Sequence, residues 1–399
     1  MVISLGGVTG MVFASRRSRE WIWAGGAALL LVLVGSIGPR DAWLAVLRGG
    51  NVYAFLVGIM ALAEIARHEG LFDWLAGALL SASGGSRARL FGLVYLAGVF
   101  VTALLSNDTT AVVLTPAIAA ALARTDAPRL PYLYICAFVA NAASFLLPIS
   151  NPANLVVFGA HLPALRPWLG AFAPASLAAI AITYAALSGV FFQQLRGRYR
   201  TREKAQPRPR AAGVAAGMVA AAAIALVAAA AVHAEVGLVA LAGAGIALAV
   251  IAVRDRGVAA FVARHVSWQI IPLVAGLFVI VSALDRAGAL DVLRRLFISG
   301  RGLLPGMAIA LADNLFNNLP VALASGTALR SIHVSPVIGH AAMIAVDLGP
   351  NFSVTGSLAT LLWVLALRRD GITVTPWQFL RIGTIVTIPA LIGALLTAR

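Results

Sequence analysis

The stretch that decides the fold is LLSNDTTAVVLTP, residues 104–116, in which five consecutive polar residues (106–110) interrupt a long apolar run. It follows FGLVYLAGVFVTA (91–103) and continues into AIAAALA (117–123). Apolar runs of this length are typical of membrane helices, whereas a Ser-Asn-Asp-Thr-Thr cluster carries polar groups that lipid cannot satisfy. The stretch therefore predicts a membrane helix that breaks where protein or a watery cavity can receive those groups.

The composition of the whole chain indicates a polytopic α-helical membrane protein. Of its 399 residues 61% are hydrophobic and 11% are charged, and the mean hydropathy is +0.93. The apolar runs lack the alternation of a lipid-facing β-barrel. The net charge of +15 comes from arginines scattered over the loops, so the lipid bilayer and not nucleic acid is the expected partner. A single cysteine, Cys136, excludes an internal disulfide and a cysteine cluster for a metal, and no cofactor is expected.

The apolar runs divide the chain into two halves joined by a basic linker. The first half is 1–195, the linker RGRYRTREKAQPRPR is 196–210, and the second half is 211–399. The predicted spans are 1–14, 21–38, 52–66, about 131–161, 168–195, 211–232, 236–253, 269–284, about 334–367 and 377–397. The regions at about 88–123 and about 302–329 are broken in their middle, and we predict that they are re-entrant hairpins.

The two halves are predicted to be inverted repeats. Residues 51–75 align without a gap on residues 269–293. Identical residues coincide at Gly58 and Gly276, Gly70 and Gly288, Asp73 and Asp291, and Leu75 and Leu293. If neither hairpin crosses, each half has about five crossings, and an odd number inverts the second half in the membrane.

The distribution of arginine gives the expected orientation. The loops expected in the cytoplasm are 15–20, 67–89, 124–130, 196–210, 254–265 and 368–370, and most of them are rich in arginine. The loop at 285–301 disagrees, because it carries four arginines on the outer side and only Asp285 and Asp291 offset them.

Four polar breaks interrupt the apolar regions, two in each half. They read SNDTT (106–110), NAASFLLPISNPAN (141–154), DNLFNNLP (313–320) and DLGPNFSVTGS (347–357). Across the repeat, Asn107 is matched with Asn317, and Pro148 with Pro350. Proline cannot continue a helix, and exposed helix ends at membrane depth are tolerated only in protein or beside water. Facing breaks therefore predict a site near the midplane for a small polar solute.

The predicted substrate-binding residues are side chains at these breaks that form hydrogen bonds. They are Ser106, Asn107, Thr109, Asn151, Asn154, Asn317, Asn318, Asn351, Thr355 and Ser357. Asp108 and Asp347 are predicted to couple transport to protons, because a carboxyl group at membrane depth is usually a proton or ion ligand. Asp313 fits a helix cap and a functional acid equally well. Glu64 is predicted to snorkel to the membrane surface or to pair with Arg67, and the histidines have no metal-binding spacing.

At these breaks the sequence resembles the arsenite/antimonite efflux permease family of the ion-transporter superfamily. VDLGPNFSVTGSLATLLWVLAL (346–367) resembles that family's Asp-Leu-Gly-Pro segment and the helix after it. NNLP (317–320) resembles its second hairpin tip, and SNDTTAVVLTP (106–116) its first. WQII (268–271), ALDRAGALDVL (283–293) and FLRIGTIVTIPAL (379–391) are also similar, so the resemblance covers nearly the whole chain from about residue 20.

The resemblance implies a transporter of the inner (plasma) membrane that exports trivalent arsenite or antimonite, driven by the proton gradient. Some members also serve as the channel subunit of a soluble arsenite-stimulated ATPase, and a homodimer is left open. The break at 141–154 departs from the family, because Asn141-Ala-Ala-Ser144 stands where an acidic residue is expected. Trivalent arsenic in water is a neutral trihydroxide, whose hydroxyl groups match Asn, Ser, Thr and Asp side chains.

Three alternatives remain open from the sequence. A sodium-coupled carrier for dicarboxylate, citrate or sulfate would share the architecture, although its hairpin tips usually read Ser-Asn-Thr and no positively charged residue lies in the four breaks. A membrane-embedded enzyme would need a nucleophile with a base, or a metal cluster, and the sequence has no such motif. A passive channel would show flux without proton coupling.

Overall fold

The chain folds into an all-helical membrane protein, as the sequence predicts. The computed structural model describes residues 20–159, 162–201, 209–300 and 303–398. Within these ranges the helices are joined by short turns and two isolated β-bridges. The predicted span 1–14, linker residues 202–208 and Arg301 lie outside the described residues.

The helices keep the order expected from the sequence. In the N-terminal half they are α1 (Glu20–Leu33), α2 (Pro39–Arg48), α3 (Gly50–His68), α4 (Leu71–Ala82), α5 (Arg87–Leu104), α6 (Asn107–Thr109), a π-helical turn (Thr110–Leu114), α7 (Thr115–Leu122), α8 (Arg129–Ala142), α9 (Pro152–Phe158), α10 (Leu165–Val190) and α11 (Phe192–Leu195). In the C-terminal half they are α12 (Arg210–Ala231), α13 (Val236–Ala252), α14 (Val258–His265), α15 (Ile270–Arg286), α16 (Asp291–Ser299), α17 (Leu304–Phe316), α18 (Asn318–Arg330), α19 (Pro336–Leu348), a 3₁₀ turn (Gly349–Phe352), α20 (Leu358–Arg369) and α21 (Pro376–Thr397).

Six helical segments among the described residues are long and apolar enough to cross a membrane. They are α3, α5, α10, α12, α21 and the segment Val258–Arg286, which joins α14 to α15. The predicted arm of the first hairpin, α5, is one of them, and its 18 residues reach ~27 Å at 1.5 Å per residue. The re-entrant character of the two hairpins therefore stays a prediction.

Four short helices at the ends of the long ones were not predicted as helices. They are α2, α4, α14 and α16, which have between 8 and 12 residues. None can cross a hydrocarbon core of ~30 Å at 1.5 Å per residue. These segments resemble loops in the sequence because charged residues such as Asp73 and Asp291 interrupt the apolar runs there.

The two halves pack against each other through reciprocal helix pairs. Helix α1 packs against α15, and α3 packs against α13. A Cβ atom at Gly58 would overlap the backbone of Ala240, and one at Gly276 would overlap the backbone of Ala24. Small residues let membrane helices approach this closely. Gly58 and Gly276 are aligned in the predicted repeat, so these contacts support it, and the division into inverted repeats stays a prediction.

A second aligned pair of glycines ends the helices that carry the first pair. Gly70 follows α3 with a φ of 72°, and Gly288 follows α15 with a φ of 73°. Glycine adopts this left-handed conformation without steric cost. Both turns lead into a short helix, α4 or α16, so the two segments share a local structure as well as a sequence pattern.

One end of the molecule gathers loops that the arginine distribution assigns to the same side. Residues 83–86 and 124–126, at the two ends of the first hairpin, pair with linker residues 196–201. The Tyr199 hydroxyl donates to the Leu80 carbonyl at 3.0 Å. At the end of α3, Arg67 Nε donates to Glu64 Oε2 at 2.7 Å, which confirms the predicted pair.

Helix α15 leads away from the end that holds the linker to the opposite end of the molecule. Both termini of the second hairpin lie at this opposite end. Arg286 pairs with Asp41 at 2.9 Å. Arg294 pairs with Asp285 and Asp291 and donates to the Ser331 hydroxyl. These carboxylates raise the pKa of Arg294. The arginines that disagreed with the expected orientation are thus partly neutralised by ion pairs, and the two hairpins begin at opposite ends.

Candidate functional site

Each hairpin turns at one polar residue that caps the helix after it. The Ser106 hydroxyl accepts a hydrogen bond from the Thr109 amide at 3.3 Å. The Asn317 side chain accepts from the Leu319 amide at 3.3 Å and donates to the Thr355 carbonyl at 3.3 Å. Serine and asparagine are favoured helix caps. Asn317 has a φ of 70° and a ψ of 151°, a conformation that is rare for a residue other than glycine and is held by its surroundings.

The first broken helix is interrupted between α8 and α9, and two asparagines stabilise the interruption. Asn151 caps α9 by accepting a hydrogen bond from the Ala153 amide at 2.9 Å. Asn154 donates to three backbone carbonyl groups. They belong to Ser144 (3.0 Å), Leu147 (3.3 Å) and Pro148 (3.3 Å). Buried carbonyl groups without a donor would destabilise the fold, so Asn154 holds the break together.

The second broken helix is interrupted between α19 and α20, and the second hairpin stabilises it. The Ser357 hydroxyl caps α20 by accepting from the Thr360 amide at 3.1 Å. The Ser353 hydroxyl donates to the Asn314 side chain at 2.7 Å, and the Thr355 hydroxyl donates to the Asn314 carbonyl at 3.3 Å. This break is therefore fixed to the first arm of the hairpin that faces it.

Each hairpin tip bonds to the break of its own half in the same way. The Asn107 amide donates to the Ser150 carbonyl at 3.0 Å, and the Asn318 amide donates to the Gly356 carbonyl at 2.9 Å. Asn107 thus corresponds to Asn318, one residue beyond the predicted match with Asn317. The register differs because the residue that turns the chain, and not the first asparagine, sets the position of the helix that follows.

The two tips and the two breaks meet around one small cavity. Helices α6, α9, α18 and α20 all begin at its wall. The lining residues are Leu56, Asn107, Asp108, Asn151, Pro152, Ile270, Asn318, Leu319, Ser357, Leu358 and Ala359. Polar groups converging in an apolar pocket at the junction of helix ends are typical of a small-solute site.

The cavity separates the predicted site residues into two groups. Asn107, Asp108, Asn151, Asn318 and Ser357 line the wall. The others lie behind it, where they form caps and backbone contacts of the tips and breaks or, for Asp347, accept a hydrogen bond from the Asn151 side chain. They are Ser106, Thr109, Asn154, Asn317, Asn351, Thr355 and Asp347.

The cavity wall is acidic. Among the described residues, Asp108 is the one ionisable side chain that lines it, and no lysine, arginine or histidine does. Within the described ranges, no hydrogen bond or ion pair reaches the Asp108 carboxylate from the protein. The described residues also contain no group of three His, Cys, Asp or Glu side chains that could hold a metal ion.

The helix ends at the cavity offer few free backbone donors, because side chains of the protein already occupy them. Asn107 accepts from the Asp108 amide at 2.9 Å. The first-turn amides of the other three helices are capped by Asn151, Asn317 and Ser357. An uncapped helix N-terminus attracts anions through these amides and its partial positive charge. Capping reduces that attraction, and Asp108 opposes what remains.

Behind the wall, two side-chain hydrogen bonds join the two broken helices. Asn151 Nδ2 donates to Asp347 Oδ1 at 2.7 Å. Asn141 Nδ2 donates to Asn351 Oδ1 at 2.8 Å. All four side chains are at most 2% exposed. Because Asn151 also lines the cavity, it connects the cavity wall to the buried carboxyl group of Asp347.

Sequence reasoning missed several residues of this site. Leu56 on α3 and Ile270 on α15 supply apolar walls, and both lie outside the four breaks. Asn141 and Asn314 lie inside the breaks but were not among the predicted binding residues. Their polarity in apolar runs was a usable signal, whereas the approach of α3 and α15 depends on packing between distant segments.

A comparison with protein families matches residues 11–367 of the chain to the family described as CitMHS, citrate transporter. The match covers most of the chain and includes both hairpins and both broken helices. Family membership of this extent is consistent with the helical architecture and with a polar cavity between helix ends.

Individual relatives confirm the resemblance seen in the sequence motifs. The chain is 28% identical to an arsenical pump membrane protein of Escherichia coli, with 86% of this chain and 84% of that protein covered. It is 29% identical to one of Yersinia enterocolitica, with the same coverage. An uncharacterized transporter of Mycobacterium tuberculosis is 24% identical, with 92% of this chain and 90% of that protein covered.

One solved structure shares the fold. The YdaH transporter of Alcanivorax borkumensis, whose crystal structure is described as revealing an unusual topology, superposes with a TM-score of 0.56. The match covers 94% of this chain and 96% of that one at 13% identity. At this identity the likeness concerns the fold alone.

Proposed function

The chain belongs to the citrate transporter family, CitMHS, and from this premise we propose that it exports arsenite or antimonite in exchange for protons. Membership makes it a multi-pass membrane transporter. The substrate, the direction of transport, the exchanged proton and the inner-membrane location are inferred from the cavity and from the names of the relatives.

The observation that carries the proposal is the charge of the cavity wall. Among the described residues, the wall has four uncharged polar side chains, one carboxyl group and no basic group. A multiply charged anion such as citrate would lose its hydration there and meet Asp108 without a compensating cation, which is costly. A neutral solute avoids both costs, so the wall favours the trihydroxide of arsenic or antimony over a carboxylate.

The side chains that remain unpaired at the wall suit such a solute. Among the described residues, no hydrogen-bond partner is present for Asn107 Nδ2 or for the side-chain amide of Asn318. Asn107 and Asn318 can donate to hydroxyl oxygens, and Asp108 can accept from a hydroxyl proton. The lone cysteine, Cys136, is buried away from the cavity, so no thiolate would trap the metalloid and hinder its release.

Proton exchange is proposed from the two acidic residues predicted at the outset. Asp108 faces the cavity, where a proton and a substrate hydroxyl would compete for the same carboxylate. Asp347 lies behind Asn151 and is reached through its amide. Two hairpins that start at opposite ends and meet at one cavity suit alternating access by inverted repeats, which we propose for this chain. The proton gradient then supplies the driving force for export.

A carboxylate carrier is the second candidate, because the family takes its description from citrate. Sodium ions would have to supply the positive charge that the wall lacks. Sodium dependence and competition by citrate therefore separate the two candidates.

Everted membrane vesicles test the proposal, because their lumen corresponds to the outside of the cell. With an acidic lumen, we expect wild-type vesicles to accumulate arsenite and antimonite, measured by mass spectrometry, and to lose this uptake when a protonophore collapses the gradient. Vesicles without the protein are the control. Sodium-driven uptake of labelled citrate in right-side-out vesicles, without metalloid uptake in everted ones, would contradict the proposal.

A further inference from the structure

A buried carboxyl group in the second hairpin has no hydrogen-bond partner among the described residues. Asp313 lies on α17, one turn before the tip, and is 0% exposed. Neither of its carboxyl oxygens has a hydrogen-bond partner within the described ranges. An ionised carboxylate in such a place is strongly destabilising unless it is paired, and helix capping does not explain it because it caps nothing.

A second buried carboxyl group lies beside it on the opposing broken helix. Helix α17 packs against α19, which carries Asp347 two residues before Gly349. Gly349 makes room for this approach, since a Cβ atom there would come within 2.7 Å of Asp313 Oδ2. Asp347 Oδ1 accepts from Asn151, while its Oδ2 has no partner in the described part of the chain.

Among the residues that the structure describes, no arginine or lysine is paired with the two acids. The basic groups on the helices packed against α17 or α19 are His340, two turns before Asp347 on α19, Arg330 at the end of α18, Arg381 in α21, Arg166 in α10 and Arg129 in α8; the other titratable groups there are Cys136, Tyr132 and Tyr134 in α8 and Tyr184 in α10. None of the four arginines bonds to either acid, because both Asp313 oxygens and Asp347 Oδ2 have no hydrogen-bond partner in the described ranges and Asp347 Oδ1 accepts from Asn151. Two like charges this deep in protein repel strongly, and one proton held between them removes the repulsion.

We propose that Asp313 and Asp347 form a proton-carrying carboxyl pair, separate from the cavity, that holds the coupling proton of the transporter. This inference rests on the proposed proton exchange and adds a second acid, Asp313, that it did not include. The first half has no such pair, because Asn141 occupies the position that corresponds to Asp347, next to last in its helix.

Asn151 connects this pair to the cavity. Its Nδ2 donates to Asp347 and its Oδ1 accepts from the Ala153 amide, so its amide group has one orientation. Protonation of Asp347 weakens the first bond because a neutral carboxyl group is a poorer acceptor than a carboxylate. Loading the pair with a proton would therefore release Asn151, and with it the start of α9, at the cavity wall.

Infrared spectroscopy of the purified protein in lipid tests the pair without any substrate. A protonated carboxyl group has a carbonyl stretching band that disappears when the group ionises. We expect the wild type to show such a band at neutral pH and the Asp313→Asn variant to lose it. Asp291→Asn, which alters an exposed acid on α16, is the matched control and should keep the band. A band unchanged in Asp313→Asn would overturn the proposal.

Transport by the same variants separates coupling from binding. In proteoliposomes without a pH gradient, Asp313→Asn should exchange arsenite across the membrane within about twofold of wild type, whereas gradient-driven accumulation should fall by about tenfold or more. Loss of both activities in folded protein would overturn the proposal and make Asp313 a structural or binding residue. Removal of the band by sodium ions would overturn it in favour of a cation site. A wild type with the band but no arsenite exchange would support the pair and contradict the proposed substrate.

Discussion

The two halves of the molecule build the same wall but place their acids differently. The tips at Asn107 and Asn318 donate matching backbone hydrogen bonds, of 3.0 and 2.9 Å, to the breaks of their own halves. The first half exposes its carboxyl group, Asp108, to the cavity. The second half buries Asp313 and Asp347 behind the wall, and its described lining residues include no acid.

This difference suggests that the halves share substrate binding and divide proton coupling. Where the halves match, equivalent substitutions should have equal effects. Where the halves differ, substitutions at corresponding positions should have unequal effects on transport. The size of that difference measures how far proton coupling is confined to the second half.

The largest expected effect is at the position where the halves differ most. Asp347→Asn should reduce gradient-driven accumulation of arsenite by about tenfold to a hundredfold, because it removes the carboxyl group that links the acid pair to Asn151. Asn141→Ser, at the corresponding position, should reduce it by only about threefold, since it breaks one neutral hydrogen bond to Asn351. Accumulation in everted vesicles measures both. Equal losses in the two variants would show that the halves are not specialised.

The tip asparagines should behave alike. Asn107→Ala and Asn318→Ala each remove one hydrogen bond to the solute, worth about 1 kcal/mol, and should each raise KM for arsenite about fivefold. Initial rates over a range of arsenite concentrations give KM for each variant. An effect confined to one of them would mean that the substrate binds to one half and that the cavity is not shared.

The paired glycines test the same symmetry through stability. Gly58→Ala and Gly276→Ala should each lower the free energy of unfolding by about 1–3 kcal/mol, because the added methyl group overlaps the backbone of α13 or α1. Thermal unfolding followed by tryptophan fluorescence measures the change. Gly245→Ala and Gly26→Ala are the controls, since a Cβ atom meets nothing within 4 Å at either site. If the controls lose as much stability as the test variants, close packing is not the cause.

The smallest expected effects are at the ion pairs that fasten the two ends. Arg286→Gln breaks an exposed pair with Asp41 and should cost less than about 0.5 kcal/mol. Arg254→Gln breaks a pair with Glu69, whose side chain is 7% exposed, and should cost about 1 kcal/mol. The same thermal assay ranks them, and high salt should weaken the first pair more than the second. The reverse ranking would show that burial does not decide the strength of these pairs.

The sequence was sufficient to locate the fold class and the four breaks, because polar residues and prolines inside long apolar runs are incompatible with an uninterrupted helix in lipid. The sequence could not show which asparagine of the second hairpin matches Asn107. Asn317 and Asn318 are the same residue type, and only the backbone shows which of them turns the chain. Nor could the sequence decide between a cap and a functional acid for Asp313, because the answer depends on the packing of α17 against α19. The sequence also could not predict the apolar walls at Leu56 and Ile270, because their position depends on packing between distant helices.

The central claim is the exchange of a neutral metalloid for protons. Measuring the proton movement that accompanies arsenite transport tests it most directly. Purified protein is reconstituted into liposomes that hold a pH-sensitive dye, and arsenite is added outside with no initial pH gradient. We predict that arsenite enters and protons leave, so the lumen becomes alkaline with wild-type protein and does not with Asp347→Asn or empty liposomes. No pH change on adding arsenite, together with sodium-dependent entry of citrate, would contradict it.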